Sequence, residues 1–273
     1  MADLQAQIEE LWARRTELEP NDKEARRLVK EAIDLLDSGQ ARVAEVVAGR
    51  IVVHEWLKLA ILLLFRVTKI KTTELGPFEY ADKIPLKTGY KDAGVRVVPG
   101  ASARYGAFLE RGVVLMPSYV NIGAHVGHNT MVDTWATVGS CAQIGANVHL
   151  SGGVGVGGVL EPPQAAPVVV EDDCFVGSRC IVAEGAHVGR GSVLGAGLIL
   201  TGTVPVIDAN TGAEVGRGHV PPNSVVVSAT RARRFGSHEY GMPCALIIKH
   251  LREGERHDKT KLNDLLRDHG ATL

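Results

Sequence analysis

The chain has 273 residues, a formal charge of −1 and a pI near 6.8, a balance that excludes a general affinity for nucleic acid or for an anionic membrane surface. Its most apolar run, Leu59 to Phe65, is far short of the roughly 20 residues a membrane span needs, and an N-terminus carrying Asp3, Glu9 and Glu10 does not read as a signal peptide. The length allows one or two domains, and the four cysteines (Cys141, Cys174, Cys180 and Cys244) form no Cys-x-x-Cys pair, which predicts buried structural thiols, no metal site and a reducing, cytoplasmic setting.

From Asp3 to about Arg15, Leu4, Ile8, Leu11 and Trp12 fall on one face of a helix. Asn21 with Glu24 three residues on resembles a capping box, opening a second helix that carries Leu28, Val29, Ala32, Ile33 and Leu36 and stops at Ser38-Gly39. Arg42–Val47 and Arg50–His54 flank Ala48-Gly49 as a short hairpin. A third helix, from about His54 to Val67, is apolar on several sides and so reads as buried. No chemistry is evident in this mostly helical region, residues 1–95.

The next stretch organises the chain. Stepping by six gives Phe108, Val114, Val120, Val126, Val132, Val138, Ile144, Leu150 and Val156, a column whose period fits neither helix nor simple strand. Small side chains stand two residues earlier (Gly112, Ser118, Ala124, Thr130, Ala136, Ala142), and turn formers follow (Asn121, Gly127, Asp133, Gly139, Gly145). Such a short fixed period marks a solenoid. The register breaks after Val156, across Gly157 to Gln164, and resumes two residues out of phase with Val170, Val176, Val182, Val188, Leu194 and Leu200. Cys174 and Cys180 fall in the small inward column. At three hexads to a triangular coil, the two runs make about five coils. Their stacked aliphatic columns stabilise a prism without aromatics, at about 25 cal/mol per Å² of apolar area buried.

Val206-Ile207-Asp208 and Ala213-Glu214-Val215 flank a second hairpin turn, and Val220–Val227 reads as a last coil edge. A basic cluster (Arg231, Arg233, Arg234), a strand at Cys244–Lys249 and a terminal helix with Leu262, Leu265 and Leu266 follow. The solenoid therefore spans 96–228, with a loop thrown out at about 158–168 and a hairpin at about 205–218. Residues 229–273 form a C-terminal cap that covers an open coil edge.

Several strings resemble one family closely, the tetrahydrodipicolinate N-succinyltransferases of the lysine and diaminopimelate pathway. They are Arg96-Val97-Val98-Pro99, Leu115 to Gly123, Met131 to Gly145 (with Met-Val-Asp-Thr-Trp at 131–135) and Val148 to Gly155, joined by Tyr80–Pro85 and Val220–Ser228. The resemblance covers nearly the whole chain and is far more specific than the hexad alone. It implies a left-handed parallel β-helix, against the usual right-handed crossover, with a helical N-terminal domain and a small C-terminal one. It further implies a homotrimer with active sites between neighbouring prisms. The implied reaction moves succinyl from succinyl-coenzyme A, a cosubstrate and not a tightly bound cofactor, to the nitrogen of a hydrated cyclic imine dicarboxylate.

A nitrogen nucleophile needs its lone pair free, so a carboxylate that takes or orients its proton is the minimal requirement. The resemblance assigns this to Asp133, a position that a corner would also fill with Asp for turn formation alone. Substrate carboxylates call for guanidinium forks, and the resemblance offers Arg96 and, just after Gly177-Ser178, Arg179. Family members carry a glutamate where this chain has Ile181; Glu184, three residues on, is the candidate to replace it as second acid/base. For coenzyme A, the glycine-rich stretches around Gly153 and Gly197 present backbone groups, and Arg231 and Lys249, among Arg233, Arg234 and Arg252, suit its phosphates, although such charges also occur on simply solvated faces. Trp135 either lines the acyl pocket or packs on a neighbouring subunit.

Three other functions compete. A different hexapeptide acyltransferase, using an acetyl donor or a sugar or amino-acid acceptor, would work through a histidine base such as His125, His128, His149 or His187. A γ-carbonic anhydrase would need a zinc triad whose spacing is missing here. A non-catalytic scaffold would not bind coenzyme A.

Overall fold

The computed structural model describes residues 2–20, 22–252, 255 and 259–272. Three helices, α1 (Ala2–Ala13), α2 (Lys23–Asp37) and α3 (Glu55–Val67), pack around Ile8, Val29, Ile33, Leu57 and Ile61. The cap of α2 is Asp22, whose carboxylate accepts the Ala25 N–H at 2.9 Å. The expected cap, Asn21, lies outside the described residues. Strands β1 (Ala44–Val47) and β2 (Arg50–Val53) form the expected hairpin, turning through Ala48 and Gly49, both at positive φ. A second hairpin, β3 (Lys71–Leu75) with β4 (Phe78–Asp82), is exposed along both strands. Because neither face is buried, its sequence carries no two-residue apolar alternation to announce it.

From Arg96 onward the chain winds as a triangular prism of two-residue rungs joined by short corners, every rung parallel to the next. Face I carries Arg96–Val97, Val114–Leu115, Met131–Val132, His149–Leu150, Phe175–Val176 and Val193–Leu194, and ends on Val225–Val226. Face II runs from Ser102–Ala103 through Tyr119–Val120, Thr137–Val138, Gly155–Val156 and Ile181–Val182 to Ile199–Leu200. Face III runs from Phe108–Leu109 through His125–Val126, Gln143–Ile144, Val169–Val170 and His187–Val188 to His219–Val220. Faces II and III have six rungs each, so the solenoid is longer than the five coils expected from the sequence.

The inward column differs from the expected one at its start. Phe108 and Val114 point outward, while Leu109 and Leu115 are buried in the prism with Val120, Val126 and Val132. Between Leu115 and Val120 the step is five residues, because the corner Met116-Pro117-Ser118 is one residue short. Leu109 accordingly pairs with Val126, seventeen residues on, whereas Val126 pairs with Ile144, eighteen on. The second column, Val170 to Leu200, is buried throughout, and Cys174 and Cys180 sit beside it with no exposure. Their thiols lie 3.2 Å from the Gly189 carbonyl and 3.1 Å from the Gly195 carbonyl, and burial pushes Cys180 up to about 11. Cys141, outside the prism among the helices, is pushed by burial to about 12. Neither is a thiolate nucleophile at neutral pH.

The helices lean on the edge between faces II and III, through Ile122 and Cys141. The fully buried Lys58 of α3 donates to the carbonyls of Pro162 and Ala165 at 3.2 and 2.8 Å, tying down the loop that leaves the prism after Val156. At the far end, Ser224–Phe235 pairs with His238–His250, a longer strand than Cys244–Lys249, and the 205–217 hairpin joins it to extend face I. Helix α4 (Lys259–Asp268) puts Leu266 against Val193 and Val225; the side chain of Leu262 lies outside the described residues.

Candidate active site

The edge between faces I and II is a column of four-residue corners: Asp133-Thr134-Trp135-Ala136, Ser151-Gly152-Gly153-Val154, Gly177-Ser178-Arg179-Cys180 and Gly195-Ala196-Gly197-Leu198. The third residue of each has positive φ (Trp135 61°, Gly153 72°, Arg179 59°, Gly197 75°), and its N–H donates to a corner carbonyl one coil below. Asp133, Gly153, Arg179 and Gly197 thus stand along a single edge. A Cβ at Gly153 would come within 3.3 Å of the Arg179 side chain, so glycine there seats the arginine stem; at Gly197 it would meet nothing, leaving backbone open to an approaching ligand.

Asp133 leaves the Met131–Val132 rung with its side chain about 30% exposed. Its Oδ1 accepts the Thr134 N–H at 2.6 Å and the Thr134 hydroxyl at 3.2 Å, while Oδ2 lies 3.7 Å from Nε2 of His149 on the rung directly above. The His149 ring stacks on Phe175 of the following rung, centroids 5.0 Å apart and planes within 4°. Trp135 projects from the same corner, 76% exposed.

The other expected site residues are spread more widely. Arg96 lies exposed in the outward column of face I, below Val114 and Met131. Glu184 is exposed at positive φ on the edge between faces II and III, with face II separating it from Asp133. Arg231 and Lys249 lie on the C-terminal hairpin, paired with Glu214 at 3.3 Å and Glu255 at 3.4 Å. Within one protomer, then, the edge unites Asp133, Gly153, Arg179 and Gly197 but not Glu184, Arg231 or Lys249.

The histidines on face III are committed elsewhere. His125 Nε2 lies 3.0 Å from Glu110, and burial together with nearby Arg42 pushes its pKa down to about 4; His187 Nε2 lies 2.7 Å from Glu171. A cavity of about 540 Å³ opens on this face, between β1 and the 125–128 and 143–146 segments, away from Asp133. Its carboxylates at Glu110, Glu171 and Asp172 already accept hydrogen bonds from the chain. Among the described residues, no group of three or more His, Cys, Asp or Glu is placed to hold a metal ion.

The acid–histidine neighbours share a spacing legible in the sequence but not used above. A carboxylate at the first corner position meets a histidine about sixteen residues on, because one coil is eighteen residues and the outward position precedes the corner by two.

A prism of six-residue units places the chain in the hexapeptide-repeat class, and residues 167–202 match the family profile described as "Hexapeptide repeat of succinyl-transferase", which makes it a transferase of that class. Residues 3–67 match "Tetrahydrodipicolinate N-succinyltransferase N-terminal". Among curated proteins, the 2,3,4,5-tetrahydropyridine-2,6-dicarboxylate N-succinyltransferase of Dechloromonas aromatica is 48% identical over 97% of this chain and 98% of its own length. The enzymes of that name from Caulobacter vibrioides and Acinetobacter baylyi are 49% and 47% identical, each over 98% of this chain and at least 99% of their own lengths. The chain belongs to the tetrahydrodipicolinate N-succinyltransferase family.

Proposed function

We propose that the edge between faces I and II, with the prism wound left-handed, is the active edge of a tetrahydrodipicolinate N-succinyltransferase, and that Asp133 is its general base. The chain transfers a succinyl group to tetrahydrodipicolinate; the proposal concerns the donor, the site and the assembly. The observation that carries it is the Asp133 carboxylate: one oxygen is held by the corner and the other left partly exposed beside His149, on the edge that also bears Arg179 and the open backbone of Gly197. Succinyl-coenzyme A is the donor, with its pantetheine arm along the Gly153 and Gly197 corners and its phosphates near Arg231 and Lys249. Arg96 and Arg179 receive substrate carboxylates.

As the ring nitrogen attacks the thioester carbon, Asp133 takes its proton. The N–C bond forms, the C–S bond breaks and the thiolate leaves with the proton from Asp133. The C–N bond at the hydrated carbon then breaks, the hydroxyl there gives up its proton and becomes the ketone, and the acylated nitrogen takes a proton as the ring opens. Glu184, on the far edge of face II, can join Asp133 only from a neighbouring prism. Face II and the edge it shares with face I support this assembly, because they present Ile199 (51% exposed), Ile181 (45%) and Trp135 (76%), apolar side chains that a second copy would cover in a homotrimer. A cytoplasmic location completes the reading.

The test offers tetrahydrodipicolinate with succinyl- or acetyl-coenzyme A and follows thiol release. A strong preference for succinyl is expected; equal turnover would overturn the donor assignment and favour the acetyl-transferring alternative.

A further inference from the structure

Three times in this prism a carboxylate at the first corner position stands under a histidine in the outward column of the rung above. In two cases the acid is glutamate and the contact is closed. Glu110 meets His125 Nε2 at 3.0 Å and the His128 N–H at 2.9 Å; Glu171 meets His187 Nε2 at 2.7 Å and the Arg190 N–H at 3.0 Å. Each glutamate thus spends one oxygen on the imidazole and the other on the backbone N–H three residues beyond it. Both clasps lie on face III and its edge with face I.

The third case, on the proposed active edge, has aspartate. One methylene shorter, Asp133 turns Oδ1 back to Thr134 and leaves Oδ2 3.7 Å from His149, beyond hydrogen-bond range. The corresponding backbone N–H, three residues past His149 at Gly152, donates to no group among the described residues. The same scaffold that closes the glutamate clasps therefore holds this one open, with the imidazole fixed by its stack on Phe175.

We propose, resting on Asp133 as the base, that His149 is a positioning residue: when substrate enters, its Nε2–H closes the 3.7 Å gap to Oδ2 and holds that oxygen toward the substrate nitrogen. Glutamate at this position would turn both oxygens into the clasp with the imidazole and backbone, as Glu171 does; aspartate leaves Oδ2 outside it. Partners that orient metal-ligating side chains contribute about 10–100-fold to activity, and the same scale is taken for an imidazole that orients a general base.

The experiment measures kcat and KM for His149→Phe, which keeps the stack on Phe175 but removes the donor, and for His149→Gln, whose amide can place an N–H near the same point. The expected result is a fall of about 10–100-fold in kcat for His149→Phe with a smaller change in KM. His149→Gln should recover part of the loss, and in an Asp133→Asn background His149→Phe should cost little more. Retention of kcat within about twofold in His149→Phe, no recovery by His149→Gln, or full additivity with Asp133→Asn would overturn the proposal. Should His149→Phe not fold, His149→Gln against His149→Asn decides it: equal activities overturn the proposal, and greater activity in Gln supports it. If Asp133→Asn is inactive while His149→Phe is active, only this inference fails; if Asp133→Asn is fully active, the reading of Asp133 as base fails first.

Discussion

Replacing Asp133 by Asn separates the two roles its carboxylate can have. Oδ1 accepts from the Thr134 N–H at 2.6 Å and the Thr134 hydroxyl at 3.2 Å, a corner-capping function that the carbonyl oxygen of Asn performs equally well. Oδ2 is the oxygen proposed to take the substrate proton, and the amide that replaces it cannot. Asp133→Asn should therefore unfold within about 0.5 kcal/mol of the parent in urea, as a substitution that preserves the local hydrogen bonds does. Its kcat should fall by about 10²–10⁴, equivalent to roughly 3–5 kcal/mol of transition-state stabilisation. Asp133→Ala loses the cap as well and should be less stable by about 1 kcal/mol. Steady-state thiol release with succinyl-coenzyme A, run beside urea denaturation of all three proteins, checks both. An Asp133→Asn enzyme working within about threefold of the parent would show that this carboxylate only shapes the corner.

Acid should weaken the fold through His125, which burial first and Arg42 second hold neutral down to about 4, against an ordinary value of 6.5. Its folded pKa is depressed, so the stability it contributes is whole above about pH 6.5 and is lost as pH falls towards 4, about 3 kcal/mol in all. Glu110 acts in the same direction, because its hydrogen bonds from the His128 N–H and His125 hold it low against its burial. In His125→Gln, the melting temperature should drop less between pH 6.5 and 4.5. Leu150→Ala, fully buried between Val132 and Val176 in the inward column, should cost about 2–5 kcal/mol by urea unfolding, since neighbouring rungs cannot collapse into the gap. Ile199→Asp on face II should leave each prism folded by circular dichroism but shift the sedimenting species towards monomer, with activity falling in step.

Much of the prism was legible because its physics is local. Every inward position must be aliphatic and every corner must admit a tight turn, so a period of six repeats wherever the chain coils. That is why Val126 to Val156 and Val170 to Leu200 are buried as the spacing required. The column failed at Phe108 and Val114 because Val113-Val114-Leu115 is apolar at three successive positions, so hydrophobicity alone does not choose among them. The short corner at Met116-Pro117-Ser118 decides, and only the pairing of Leu115 with Val132 shows it. The β3–β4 hairpin escaped for the opposite reason, having no buried face to leave a pattern.

The site divides along the same line. The sequence by itself determined the coil period, the corner at Asp133, the glycines at 153 and 197 and, through its resemblance to a family, the chemistry to look for. Tertiary structure alone decided which corners share an edge: eighteen residues of chain return to nearly the same place, so Asp133, Gly153, Arg179 and Gly197 become neighbours along a column. The same winding puts Glu184 across face II and sets His149 above Asp133. A side chain's reach settled the rest, because Glu110 and Glu171 close on their histidines and the shorter Asp133 stops 3.7 Å away. One methylene, placed by the coil, separates the two structural clasps from the carboxylate proposed as the base.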